Sequence, residues 1–282
     1  MPLACMASRM LTSDHLADLD RFLIELNRAS GEVILPLFRG DHGLEDKNPG
    51  GALDPVTAAD KGAEAAIRAL IAVHHPDHGI IGEEYGEDRP DAEFVWVLDP
   101  IDGTRAFMAG LPLWTTLIGL RHHGRSVLGS IGQPFMGEIF IGHPGASRLV
   151  TGNITTPLRV RPCPKLADAV IATTDPEGLF DAAEMSAWTQ VRAATRLARL
   201  GCDAYAYAMV AMGKMDLIIE SGLKVWDIEA AIPVLAGAGG HVTDWLGQPM
   251  GQNGPQRGGQ MVIAGDRTCL DQAIEILRRS AK

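Results

Sequence analysis

The run Trp96-Val97-Leu98-Asp99-Pro100-Ile101-Asp102-Gly103-Thr104 constrains this chain more than any other segment. Its apolar start reads as a buried strand, and Pro100 and Gly103 make a turn that brings Asp99 and Asp102 together at the strand's end. Two like charges about 4 Å apart repel by roughly 4 kcal/mol at an effective dielectric of about 20. Joined by Glu83 from Gly82-Glu83-Glu84 and Asp227 from Trp226-Asp227, such a cluster requires raised pKa values or a bound cation. All the donors are oxygens, with no histidine or cysteine in the same motifs. That selects a hard ion, magnesium first and manganese as the alternative.

Gly103-Thr104 opens a short helix, expected over residues 104–109. A helix N-terminus offers unpaired N–H groups and about half a positive charge, an anion site beside the cation site. Metal and phosphate cradle together mean phosphoryl chemistry. Taken alone, Asp-Pro-Ile-Asp-Gly-Thr suits an Asx-capped strand-to-helix turn equally well.

The hexapeptide is not alone. Asp54-Pro55-Val56-Thr57-Ala58-Ala59-Asp60, Gly82-Glu83-Glu84, Asp99-Pro100-Ile101-Asp102-Gly103-Thr104 and Trp226-Asp227 followed by Gly239-Gly240 stand in one order along the chain. This set resembles the inositol-monophosphatase family over nearly the whole length. The resemblance implies an α/β (α+β) fold of the layered αβαβα type shared with fructose bisphosphatases. It also implies a lithium-sensitive, magnesium-dependent phosphomonoesterase with two or three ions per site, acting as a homodimer. Carried over residue by residue, Glu83, Asp99, the carbonyl of Ile101, Asp102 and Asp227 would hold metal. Asp60 and Thr104 would orient the attacking water with Glu83, and the amides of Gly103 and Thr104 would hold phosphate. Paired metals suit in-line attack on a phosphate monoester, with no covalent phosphoenzyme.

For the substrate, two stretches resemble the histidinol-phosphate phosphatase branch: Asp102-Gly103-Thr104-Arg105-Ala106-Phe107 with Gly110-Leu111-Pro112, and Arg199 through Tyr207. Cys202, Ala204 and Trp226 depart from that branch's pattern. Histidinol phosphate carries an ammonium and an imidazole, and Asp203 and Glu220 are candidates to pair with them. Inositol 1-phosphate or another polyol monophosphate is the alternative. A nucleotide 3′-phosphatase and a non-catalytic binding protein are further readings, the second opposed by the complete carboxylate set.

The balance of 25 basic and 35 acidic residues leaves −10, which argues against a nucleic-acid footprint and leaves a small phosphate monoester as partner. Cys5, Cys163, Cys202 and Cys269 show neither metal-ligand nor disulfide spacing. The first ten residues lack the apolar core of a signal peptide, and no run of about 18 apolar residues suggests a membrane span. These features together read as a soluble cytoplasmic enzyme.

Apolar spacing predicts helices over 13–38 and 58–74, strands over 79–82 and 94–99, and a dense β region over 115–121, 126–133, 138–142 and 148–151. Gly31 and Pro36 weaken or end the first helix. The loop 40–51 is polar, and its Lys47 is read as solvated. The proline-bearing junction 153–164 divides an N-terminal half, 1–155, with most metal ligands from a C-terminal half, 156–282, with Asp227 and the specificity residues. The second half is expected to hold strands 169–173, 215–220, 242–244 and 261–264, and helices 182–193, 203–212, one from Asp227 to about 239, and 271–279. His74, His75 and His78, and the pair His122-His123, read as solvated surface, and Tyr205, Tyr207 and Met209 as packed helix, with Tyr205 a candidate to line the pocket.

Overall fold

The computed structural model describes residues 11–40, 45–46, 55–56, 58–251 and 259–280. Asp54, Thr57, Lys47, Cys5 and the first ten residues lie outside them.

The first helix, Ser13–Ile34, starts where Thr12 accepts a hydrogen bond from the His15 amide, and buries Leu19, Phe22, Leu23, Leu26 and Ile34 on one face. It ends four residues before the expected boundary, and turns continue through Arg39. Pro36 has no N–H to extend the ladder. Gly31 is a packing residue, since a Cβ there would meet Pro134 at 3.1 Å. The second helix, Ala58–His74, lies beside the first.

Both helices cover one face of an eight-stranded sheet. Its order is Ile154–Pro157, Ala146–Thr151, Glu138–His143, Arg125–Gln133, Thr115–His122, Phe94–Asp102, Gly79–Gly82, Gly86–Asp88. All pairs are antiparallel except Gly79–Gly82 with Phe94–Asp102. A five-stranded sheet follows in the order Leu197–Leu200, Val170–Thr173, Leu217–Glu220, Met261–Ala264, His241–Thr243. Helices Tyr205–Ala211 and Ala231–Ala238 fill the space between the sheets, in one core with Leu117, Ile131 and Phe140 of the first sheet and Ile218 and Ile263 of the second. Helices Ala182–Ala193 and Arg267–Ser280 close the outer face of the second sheet around Trp188, Leu270 and Ile274. The result is the expected αβαβα layering.

Where observed and expected boundaries differ, local chemistry explains it. Two helices, Val225–Glu229 and Ala231–Ala238, replace one, because Pro233 cannot donate back to Glu229. The last helix begins at Arg267, since Asp266 accepts from the amides of Thr268 and Cys269.

The histidines do not all lie in solvent as expected. His78 is buried, accepts the Trp96 indole N–H at 3.1 Å and stacks on His75 and Phe94. His122 is stacked on Phe94 from the far side and is only 12% exposed. Aromatic faces at the N-terminal end of strand Phe94–Asp102 draw them in, an attraction that no local pattern in the sequence announces.

Candidate active site

Strand Phe94–Asp102 buries every residue from Phe94 to Ile101 and carries the first two carboxylates. It does not stop at Asp99. Asp99 faces Leu117 and Asp102 faces Thr115, so Pro100 and Ile101 oppose Thr116 alone and the strand bulges. The Thr116 hydroxyl donates to the Pro100 carbonyl at 2.8 Å and holds the bulge. This kink aims both aspartates at one point. Asp102 Oδ2 accepts from the Ala204 amide at 2.7 Å, tying the first sheet to the second half of the chain.

Glu83 follows the parallel strand Gly79–Gly82, its amide bonded to the Leu98 carbonyl. The turn after it is held by buried Glu64, which accepts from the amides of Glu84 at 2.8 Å and Tyr85 at 3.2 Å and is paired with Arg68. Asp60 is 3% exposed in the first turn of helix Ala58–His74. Asp227 sits in the first turn of helix Val225–Glu229, accepting from the Lys224 amide at 2.6 Å. The structure thus brings the far-separated Asp99, Asp102 and Asp227 together, one carboxylate oxygen of each within 4.8 Å of the others.

Their electrostatics follow from burial and crowding. Burial pushes the Asp99 carboxyl well above the usual range, and Glu83, Asp102, Asp227 and Asp60 add like-charge repulsion. Asp102 is raised by burial, then by Asp203 and Asp227. Asp227 is pushed up to about 7, first by burial. Asp99 Oδ1 is buried with no hydrogen-bond partner among the described residues. An orphaned buried oxygen in an oxygen-only ring of mutually repelling carboxylates is the donor set a divalent cation fits.

The ring opens into a cavity of about 570 Å³ lined by Glu83, Asp99, Ile101, Asp102, Gly103, Thr104, Arg105, Asp203 and Asp227, all expected, and by Thr174, Tyr207, Lys224 and Trp226. Gly103 adopts φ +83 ahead of helix Thr104–Met108, and Thr104 donates its hydroxyl to the Ile101 carbonyl at 3.1 Å. Arg105 is paired at 2.7 Å with Asp175 at the rim. Asp203 takes the left-handed conformation at φ +44, with its carboxyl raised to about 6 by burial. Glu220 lies behind the wall, 1% exposed. It accepts from the Thr173 hydroxyl and from the amide and hydroxyl of Thr174, and burial pushes it up to about 8. Tyr207 lines the cavity, whereas the Tyr205 hydroxyl donates to Glu138. Glu64, Thr174 and Asp175 escaped sequence reasoning because their work is to hold neighbours. The Glu64–Arg68 spacing on a helix face was the one available signal.

A family model described as the inositol monophosphatase family matches residues 15–280. The chain belongs to that family. Its members are phosphatases, and the chain is accordingly a hydrolase of phosphate monoesters. It is 41% identical to the chloroplastic bifunctional phosphatase IMPL2 of Arabidopsis thaliana over 92% of this chain and 76% of that protein. It is 34% identical to a histidinol-phosphatase of Chlorobaculum parvum over 69% of this chain and 74% of that one. Among solved structures, an inositol monophosphatase from Zymomonas mobilis superposes with a TM-score of 0.81 at 35% identity, covering 93% of this chain and 98% of its own. Among the described residues no helix is long and apolar enough to cross a membrane.

Proposed function

We propose that this chain hydrolyses histidinol phosphate, using magnesium held by Glu83, Asp99, the Ile101 carbonyl, Asp102 and Asp227. The observation that carries the reading is the ring of crowded carboxylates around buried Asp99, whose Oδ1 has no hydrogen-bond partner among the described residues, beside the start of helix Thr104–Met108. Two or three divalent cations, if held by these groups, would acidify a bound water and offset the charge of the phosphoryl and leaving oxygens. Asp60 and Thr104 orient the attacking water with Glu83, Thr104 being fixed through its bond to the Ile101 carbonyl. The amides of Gly103 and Thr104 receive phosphate oxygens, and Arg105, tethered by Asp175, adds positive charge at the rim.

The leaving group then lies against Asp203 and Asp175. Asp203, raised only to about 6, is ionised at neutral pH and suits a cationic amine. Glu220 acts through Thr174, whose backbone and hydroxyl it holds. A relative named histidinol-phosphatase supports this substrate. The likeness to an inositol monophosphatase structure favours inositol 1-phosphate as the second reading. Lithium sensitivity, a homodimer, and the division of labour between residues 1–155 and 156–282 belong to the same proposal. A reducing compartment such as the cytoplasm is supported by the buried free thiols Cys163, Cys202 and Cys269.

The test is phosphate release with magnesium from histidinol phosphate, inositol 1-phosphate and a nucleotide 3′-phosphate. We expect kcat/KM to favour histidinol phosphate by about a hundredfold or more, as buried charge recognition allows. Asp203→Asn should erode that preference and spare inositol 1-phosphate. Comparable values across the panel transfer the assignment to a polyol or broad-range phosphatase.

A further inference from the structure

At the end of strand Phe94–Asp102 remote from the catalytic aspartates, the chain assembles a second set of ligating side chains. Six of its nine histidines gather there: His15, His74, His75, His78, His122 and His123. Phe94 and Asp99 are five residue steps apart, which at about 3.3 Å per step sets this cluster roughly 17 Å from the carboxylate ring.

Within it, Glu93, His122 and His123 converge. Nε2 of His122 is 3.1 Å and Nε2 of His123 is 3.8 Å from the same oxygen, Oε1 of Glu93. One ligand atom from each of the three lies within 4.8 Å of the other two. Neighbouring residues of a strand point to opposite faces. His123 escapes that rule because its φ is +49, and its ring comes to rest 4.4 Å from that of His122. The His123 amide donates to the Glu93 carbonyl at 2.8 Å, extending the pairing of the two strands beyond Phe94 and His122. His122 is held in place by the Phe94 ring, stacked 4.5 Å away at 20°. One preset imidazole is thus flanked by a half-exposed imidazole and a half-exposed carboxylate, both with room to adjust.

We propose that Glu93, His122 and His123 form a binding site for a borderline transition-metal ion of the zinc class, separate from the catalytic ring. Two neutral imidazoles and one carboxylate, with water as fourth ligand, are a tetrahedral zinc donor set. Bonds of 2.0–2.2 Å place tetrahedral ligand atoms about 3.3 Å apart, close to the 3.1 and 3.8 Å already separating the two Nε2 atoms from Glu93 Oε1, and rotation of the half-exposed His123 and Glu93 side chains supplies the remaining adjustment. The all-oxygen catalytic ring prefers hard ions, so the two sites sort magnesium and zinc between them. Occupied, this site clamps the C-terminal end of strand Thr115–His122 to the start of the strand that carries Asp99 and Asp102.

The experiment titrates zinc chloride into the chelator-stripped full chain, resaturated with magnesium, against a competing chromophoric chelator. Wild type is compared with Glu93→Gln, His123→Asn and Asp99→Asn, asparagine being chosen at residue 123 because it tolerates positive φ. We expect one zinc equivalent whose affinity falls about tenfold or more in Glu93→Gln and His123→Asn but survives Asp99→Asn. Zinc should also raise the Tm of wild type and not that of His123→Asn. Magnesium-dependent turnover of His123→Asn should match wild type. Equal zinc affinity in wild type, Glu93→Gln and His123→Asn, loss of the equivalent in Asp99→Asn, or no zinc bound in the presence of magnesium each overturns the proposal.

Discussion

A methyl group on Gly82 would lie 2.0 Å from Glu64 Oε1 and 2.8 Å from an Arg68 nitrogen. Glu64, braced by Arg68, accepts from the amides of Glu84 and Tyr85, so the absence of a side chain at residue 82 lets Glu64 set the position of Glu83. Gly82→Ala should therefore displace a buried, paired carboxylate. We expect a loss of about 1–3 kcal/mol in urea unfolding, the usual range for overpacking. A larger proportional fall in kcat than the stability loss explains should accompany it, read at saturating magnesium. Full stability with full activity would show that Glu64 yields without moving Glu83. Gly103 differs, because its φ of +83 and the Asp203 Cγ, 3.0 Å from where a Cβ would stand, act together, so conformation and space both demand glycine.

Among the elements, the stack His75–His78–Phe94–His122 replaces what sequence periodicity reads as a solvated helix end and a surface turn. His78 is pushed down to about 4, first by burial, then by His75 and His15, with Glu93 opposing and Arg89 assisting. A base with a lowered folded pKa stabilises the fold above its unfolded value of 6.5 and loses that contribution as pH falls toward about 4. The loss amounts to about 3 kcal/mol at most. His78→Phe removes the titration at the cost of the Trp96 hydrogen bond. Denaturant midpoints between pH 6.5 and about 4 should then fall less steeply in the variant than in wild type. Parallel slopes would place the acid sensitivity elsewhere. The same scale shows what was legible beforehand. Helices Ala58–His74 and Ala182–Ala193 and strands Gly79–Gly82 and Met261–Ala264 fall where apolar spacing put them, because their buried faces are continuous. Strands Gly86–Asp88, Ile154–Pro157 and Leu197–Leu200 were not foreseen, for they lie at sheet edges with mostly exposed side chains and no apolar alternation. The convergence of Asp99, Asp102 and Asp227 was readable from motifs. The bulge at Pro100 and the hold of Glu220 on Thr174 were not, since both depend on partners distant in sequence.

Across the whole molecule, the carboxylate ring is a joint between the two sheets. Asp99 and Asp102 ride on the eight-stranded sheet, Asp227 follows strand Leu217–Glu220 of the five-stranded one, and the Ala204 amide reaches across to Asp102. Without metal the joint is under electrostatic strain. Carboxyls with raised folded pKa values stabilise the fold fully below their unfolded value of 3.8, and that contribution is lost as pH rises through the folded value, about 7 for Asp227. Metal-free protein should therefore lose Tm as pH climbs from about 4 past 7. Magnesium competes with the protons, so the Tm gain on adding it should grow over the same interval. Asp99→Asn separates the two effects. Deleting one buried like charge should raise the Tm of the metal-free chain at neutral pH, while the magnesium-dependent gain shrinks and turnover falls by more than about a hundredfold. Calorimetry with chelator and with magnesium, on both sides of pH 7, reads the stability effects, and phosphate release reads the turnover. A magnesium-dependent gain that is the same at both pH values, or that survives intact in Asp99→Asn, would mean that the ion binds away from the ring and that the two sheets are joined without it, by packing and the Ala204–Asp102 hydrogen bond.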